Sequence, residues 1–256
     1  CLVIVAVLIA AMREPWTAAS ALSAPNTPPR VWRQLLRDSR YRRFLLFRVL
    51  LSSTAAIDPF LFLYAITRLG APVTKIGDYV ILAVLGWIVS APVWFWIERR
   101  SGARSLLQSA AVVRLIAPAI ALATPPLAAI GLIQERLSDP TALTTAYGAA
   151  FFVVGAALAG QSRGNYDYLA ALAPHQVLPA YTGLTNAILA IVAFSPVLGG
   201  IVIERLGYEA LFGVAAAIGL ATVFAGGWLA ETPSRVRERQ DAGHAVTSKA
   251  LLSGPA

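Results

Sequence analysis

Residues 76–97 read IGDYVILAVLGWIVSAPVWFWI, from Ile76 to Ile97. At about 1.5 Å per residue a helix of this length reaches roughly 33 Å, enough to cross a hydrocarbon layer about 30 Å thick. Outward from it lie five further apolar stretches: Phe44 to Ile66, Ser105 to Ala123, Leu143 to Leu172, Leu178 to Ile203 and Gly207 to Ala230. Almost no soluble sequence separates them. The expected fold is therefore all-α, a polytopic membrane protein whose residues 44–230 form a six-transmembrane-helix bundle.

Composition excludes the alternatives. With 57% hydrophobic and 13% charged residues and a mean hydropathy of +0.67, no domain-sized segment is polar enough to fold in water. The net charge of +8 does not point to nucleic acid, because the basic residues sit in short loops beside apolar spans, where anionic lipid is the natural counterpart.

Those loops also orient the chain. If the side alternates with each span, fourteen Lys and Arg residues fall on one side, including Arg33, Arg37, Arg99, Arg104 and Arg235, and only Arg68, Lys75, Arg136 and Arg205 on the other. The positive-inside rule makes the first side cytoplasmic, together with the C-terminus. The expected location is the inner membrane of a bacterial cell.

Flanking segments are read as follows. Cys1 to Met12 is apolar but too short to cross, and reads as the end of a truncated transmembrane helix. Residues 13–43 form a basic cytoplasmic linker, in which Trp32, Leu35 and Leu36 among Arg33, Arg37 and Arg40 predict a short surface helix over Val31 to Arg43. The tail, 231–256, is polar and expected to be disordered. A single cysteine leaves no internal disulfide and no thiolate metal site. His175 lies in a loop and His244 in the tail, so no span offers a Ser–His pair or a His-rich metal site, and no phosphate-binding Gly-rich loop is present. The expected protein is not an enzyme and needs no cofactor.

Ionisable and polar groups inside the spans carry the functional reading, since each costs at least about 2.5 to 3.5 kcal/mol to insert. Asp58 is followed by Pro59, and a proline there bends the helix and frees carbonyls beside a carboxylate. Asp58 is either a gating or proton-binding group or a carboxylate paired with a neighbouring helix at a kink. Arg48 lies a turn inside the cytoplasmic boundary and is expected to snorkel back to the headgroups. Arg114, near mid-span, is open between a structural partner and a substrate role. The densest cluster runs from Gly160 to Tyr168, GQSRGNYDY. In it Gln161, Asn165 and Tyr168 share one helical face, and Arg163 and Asp167 are spaced as an i, i+4 pair. Those five line an aqueous cavity in the favoured reading, with Arg163 drawing in an anionic group. In the alternative, Gly160 and Gly164 serve close helix packing and Asp167 merely neutralises Arg163. On the next span Asn186 is the one polar group that needs an external partner. Pro92, Pro118 and Pro196 are expected kinks.

Three segments carry a family resemblance. Glu98-Arg99-Arg100-Ser101-Gly102-Ala103-Arg104 follows the second full span; Ala173-Pro174-His175-Gln176 precedes Tyr181-Thr182-Gly183-Leu184; and Pro196 to Gly200 leads into Glu204-Arg205-Leu206-Gly207-Tyr208 and Ala210-Leu211-Phe212. In this order, with a basic linker before them, they resemble the C-terminal half of a major facilitator superfamily transporter. The resemblance implies alternating access between two six-helix halves, a small-molecule substrate between them, and an N-terminal half as the missing partner. Under it Asp58 is the candidate ion- or proton-coupling site, and Gln161, Arg163, Asn165, Asp167, Tyr168 and Asn186 are the candidate cavity residues. The competing expectation is a non-transporting membrane scaffold or assembly subunit.

Overall fold

A computed structural model describes residues 35–128, 140–173 and 177–230. The apolar stub 1–12, the linker up to residue 34, the loop containing His175 and the tail 231–256 lie outside the described residues. What is described is helical, without strands. Four of its helical runs are long and apolar enough to cross a membrane: Ser39–Thr67, Lys75–Pro125, Ala142–Leu172 and Leu178–Gly226.

Helix α1, Ser39–Ser53, starts where the Asp38 carboxylate accepts the backbone N–H of Arg40 at 2.8 Å. Residues 39–43 belong to α1 itself, and the chain turns at Leu36 and Arg37 just before it, so the surface helix expected through Arg43 does not extend that far. A 3-10 turn, Thr54–Ile57, separates α1 from α2, Asp58–Thr67. Pro59 explains the break: it has no N–H to donate and is tolerated only in the first helical turn, so the helix restarts there.

The long helix α3, Lys75–Ala128, contains one residue outside helical geometry, Gly102, at φ 82° and ψ 174°. A side chain at that φ would be strained, which glycine avoids. The chain reverses there. Before it, Gly86 abuts Phe152 and Trp94 abuts Gly160, so α3 and α4, Pro140–Leu172, run in the same direction. Beyond it, Ala110 abuts Gly160 and Leu107 abuts Gly164, so they run in opposite directions. The loop expected at residues 98–104 is thus compressed to one glycine. Pro92 and Pro118 leave the helical dihedrals of α3 unbroken.

After α5, Leu178–Val192, helix α6 spans Ser195–Gly226 with Pro196 in its first turn. It carries a matching hinge at Gly207, φ 85° and ψ 178°. A Cβ on Gly199 would meet Leu211 Cδ1 at 3.5 Å, although twelve residues of straight helix would separate the two by about 18 Å.

Two aromatic-rich cores hold the arms together. At one end Phe44 stacks on Tyr168 (centroids 5.1 Å apart) and Tyr41 meets Tyr181 edge-on, its hydroxyl 2.9 Å from Thr185 Oγ1. At the other end Tyr79 stacks on Phe151 at 4.5 Å, and Tyr64 packs against Tyr208 and Phe212. Buried tyrosine hydroxyls need acceptors, and backbone carbonyls supply them: Tyr79 donates to Thr144 O at 2.9 Å and Tyr147 to Leu61 O at 3.3 Å. The outward faces are apolar. Val80, Ile81, Val84, Ile88, Val89 and Trp96 on α3 and Phe224 and Trp228 near the end of the described chain are exposed, a surface that lipid covers at no cost and water does not.

Candidate functional site

Between α1, α4, α5 and the start of α6 lies an open cavity of about 330 Å³. Arg48, Ser52 and Ala55 form one wall, Leu158, Gln161, Ser162 and Asn165 the facing one, and Leu189, Val192, Ala193, Ser195 and Pro196 the third. Its position follows from local breaks. The 3-10 turn after Ser53 and the interruption at Ala193 and Phe194 both border it, through Ala55 and Ala193.

The polar groups here are under-used. Gln161 is only 7% exposed, yet its Nε2 has no hydrogen-bond partner, and neither Oδ1 nor Nδ2 of Asn165 has one. Buried donors and acceptors in that state cost roughly 1 to 3 kcal/mol each, and these atoms are closed off from solvent although their residues line the cavity. The Arg48 guanidinium donates to Ser52 Oγ at 3.3 Å, one turn farther from the helix start. Among the described residues no carboxylate pairs with it.

Asp58 and Arg114 make a separate site. They are ion-paired and hydrogen-bonded, with Arg114 only 2% and Asp58 30% exposed. The 3-10 turn completes the arrangement. The N–H of Asp58 bonds to Ala55 O rather than to Thr54 O, as in a 3-10 turn. Arg114 donates to Thr54 O at 3.2 Å and to Thr54 Oγ1 at 3.2 Å through Nε. One guanidinium thus caps a helix break and neutralises its carboxylate.

Arg163 is engaged elsewhere and does not line the cavity. It is hydrogen-bonded and ion-paired to Glu98, which is 3% exposed, lies 3.8 Å from Asp167 Oδ2, and stands 5.0 Å over the Phe95 ring. Held between two carboxylates, it has little positive potential to offer a solute. Tyr168 is fully buried in the core against Phe44 and donates to Ala230 O at 3.3 Å. Asn186 is exposed on α5, three residues before Leu189, and is not part of the lining. Of the six cavity candidates, Gln161 and Asn165 meet in the cavity. The cation beside them is Arg48.

Next to this space, and sharing Leu158 with it, is a wholly apolar hollow of about 270 Å³ lined by Phe62, Val80, Ala83, Val84, Trp87 and Gly155. Among the described residues no three His, Cys, Asp or Glu side chains converge on a point. No protein-family model matches the chain, and no curated protein or solved structure matches it.

Proposed function

We propose that the chain is the C-terminal half of a secondary transporter resembling the major facilitator superfamily, with the reversals at Gly102 and Gly207 serving as turns outside the bilayer, giving six crossings. It moves a small solute by alternating access, in exchange with an ion gradient, and the solute binds in the cavity between α1, α4 and α5. The observation that carries this reading is the convergence of Arg48, Gln161 and Asn165, from two helices, on one open cavity, where among the described residues no carboxylate balances Arg48. A bundle that only held other proteins would have little use for an unbalanced cation on the wall of an open interior cavity.

The paired charges, Asp58 with Arg114 and Arg163 with Glu98, favour a scaffold instead, because each already has a sufficient structural role. A cysteine at Ser162 separates the two. In the full chain with Cys1 replaced by serine, a membrane-impermeant thiol reagent should label Ser162→Cys in right-side-out and in inverted vesicles alike, since the cavity opens to each side in turn. Labelling from neither side would overturn the transporter reading.

A further inference from the structure

The substrate class follows from the balance of charge and hydrogen bonding around the cavity, and the inference rests on the transporter reading above. Arg48 places a full positive charge on the wall, and its one described partner is the neutral Ser52 hydroxyl. Among the described residues no Asp or Glu lines the space; the remaining polar groups are Ser52, Gln161, Ser162, Asn165 and Ser195. A guanidinium keeps its proton in apolar surroundings, and among the described residues no carboxylate meets this one, so an anionic ligand would supply its counter-charge. We infer that the cavity is an oxyanion site, holding the carboxylate or a like group of a small soluble solute against Arg48.

The neighbouring groups fit the same ligand. Ser52, Ser162 and Ser195 line the space beside Gln161 and Asn165, and an oxyanion has lone pairs for several hydroxyl donors. A volume of about 330 Å³ holds a solute rather than a bare ion, because one water takes up about 30 Å³. The apolar Leu158, Leu189, Val192 and Pro196 face its carbon skeleton. Arg114 and Arg163 have carboxylate partners within this chain, which leaves Arg48 as the group whose electrostatics an incoming anion completes.

Thiol reagents of opposite charge test this whatever the transported solute is. The full chain carrying Cys1→Ser and Ser195→Cys, in phosphatidylcholine nanodiscs, would be reacted with sulfonatoethyl and with trimethylammonioethyl methanethiosulfonate. Each rate is divided by the same reagent's rate on free mercaptoethanol. A single charge a few ångströms away predicts a preference of about tenfold for the anionic reagent. Arg48→Gln should abolish the preference and Arg48→Lys should keep most of it. Benzoate, and not benzamide, should slow the reaction in the parent and in Arg48→Lys, and neither should slow it in Arg48→Gln.

Equal normalised rates, or a preference that survives Arg48→Gln, would overturn the oxyanion site and leave the transporter reading standing. No reaction with either reagent would instead remove the water-filled cavity itself. Slowing by added phosphatidylglycerol but not by benzoate would assign the oxyanion to a lipid headgroup and overturn the soluble solute.

Discussion

Arg114 and Arg48 are both guanidiniums set inside apolar helices, yet the chain treats them oppositely. Arg114 is sealed in, with the Asp58 carboxylate, the Thr54 hydroxyl and the Thr54 carbonyl all turned toward it. Arg48 sits on the wall of an open cavity with a single serine for company. A buried charge that has its partners is a structural element, and breaking it is expensive. A charge without partners subtracts from stability and persists only if something else selects for it. Reading function from intramembrane charge therefore requires counting the partners of each charge.

The largest expected effect comes from breaking the sealed pair. Arg114→Met should destabilise the protein by about 3 to 5 kcal/mol, nearer the lower figure because Asp58 retains some contact with solvent. Removing both charges in Asp58→Leu with Arg114→Met should recover most of that loss. Denaturant titration of the purified protein in micelles would measure both variants. A double variant no better than Arg114→Met would mean that the Thr54 contacts, rather than the ion pair, hold the break in shape.

Glu98→Gln addresses the intermediate case. Arg163 would keep Asp167 at 3.8 Å and the Phe95 face, and its own side chain is 38% exposed, so the expected loss is about 1 to 2 kcal/mol. The same titration reads it. A loss as large as that of Arg114→Met would move Arg163 into the sealed class.

Asp58→Asn keeps the shape of the side chain and an acceptor for Arg114 but leaves that buried guanidinium without its counter-charge, so the stability loss should approach that of Arg114→Met, about 3 kcal/mol. Its use is functional. If Asp58 couples the proton gradient, solute flux in proteoliposomes should lose its dependence on an imposed pH difference. Flux that still follows the pH difference in this variant would remove Asp58 from coupling and leave it as the cap of a helix break.

Much of this was legible from the chain and some was not, for identifiable reasons. Helical class and the presence of helices long and apolar enough to cross a membrane follow from the lengths of apolar runs, which are local properties. The break at Pro59 was legible too, because proline acts within its own turn. Partnership was not: Asp58 finds Arg114 and Glu98 finds Arg163 across more than fifty residues of sequence, and no helical spacing encodes that. Arg163 and Asp167 were visible as an i, i+4 pair, but the closer Glu98 on another helix takes priority. The face rule correctly groups Gln161 with Asn165. It fails at Tyr168 because seven residues farther along, about 10 Å, the same face of α4 meets Phe44 instead of the cavity. Gly102 and Gly207 were placed near loops, yet their reduction to single-residue hinges depends on how closely the arms pack.

The smallest expected change in stability is the most informative for function. Arg48→Met removes a cation that no described carboxylate balances and replaces it with an apolar chain of similar reach. The folded state should be unchanged or up to about 1 kcal/mol more stable, since a desolvated charge disappears and little is lost beyond the Ser52 contact. Its transport should nevertheless collapse. A side chain whose removal stabilises the fold while abolishing activity is retained for binding, the opposite of what Arg114 predicts. The contrast is measured by denaturant titration and solute flux on the same preparation. If Arg48→Met instead unfolds the protein as readily as Arg114→Met, then Arg48 has structural partners of its own, and the two arginines belong to one class.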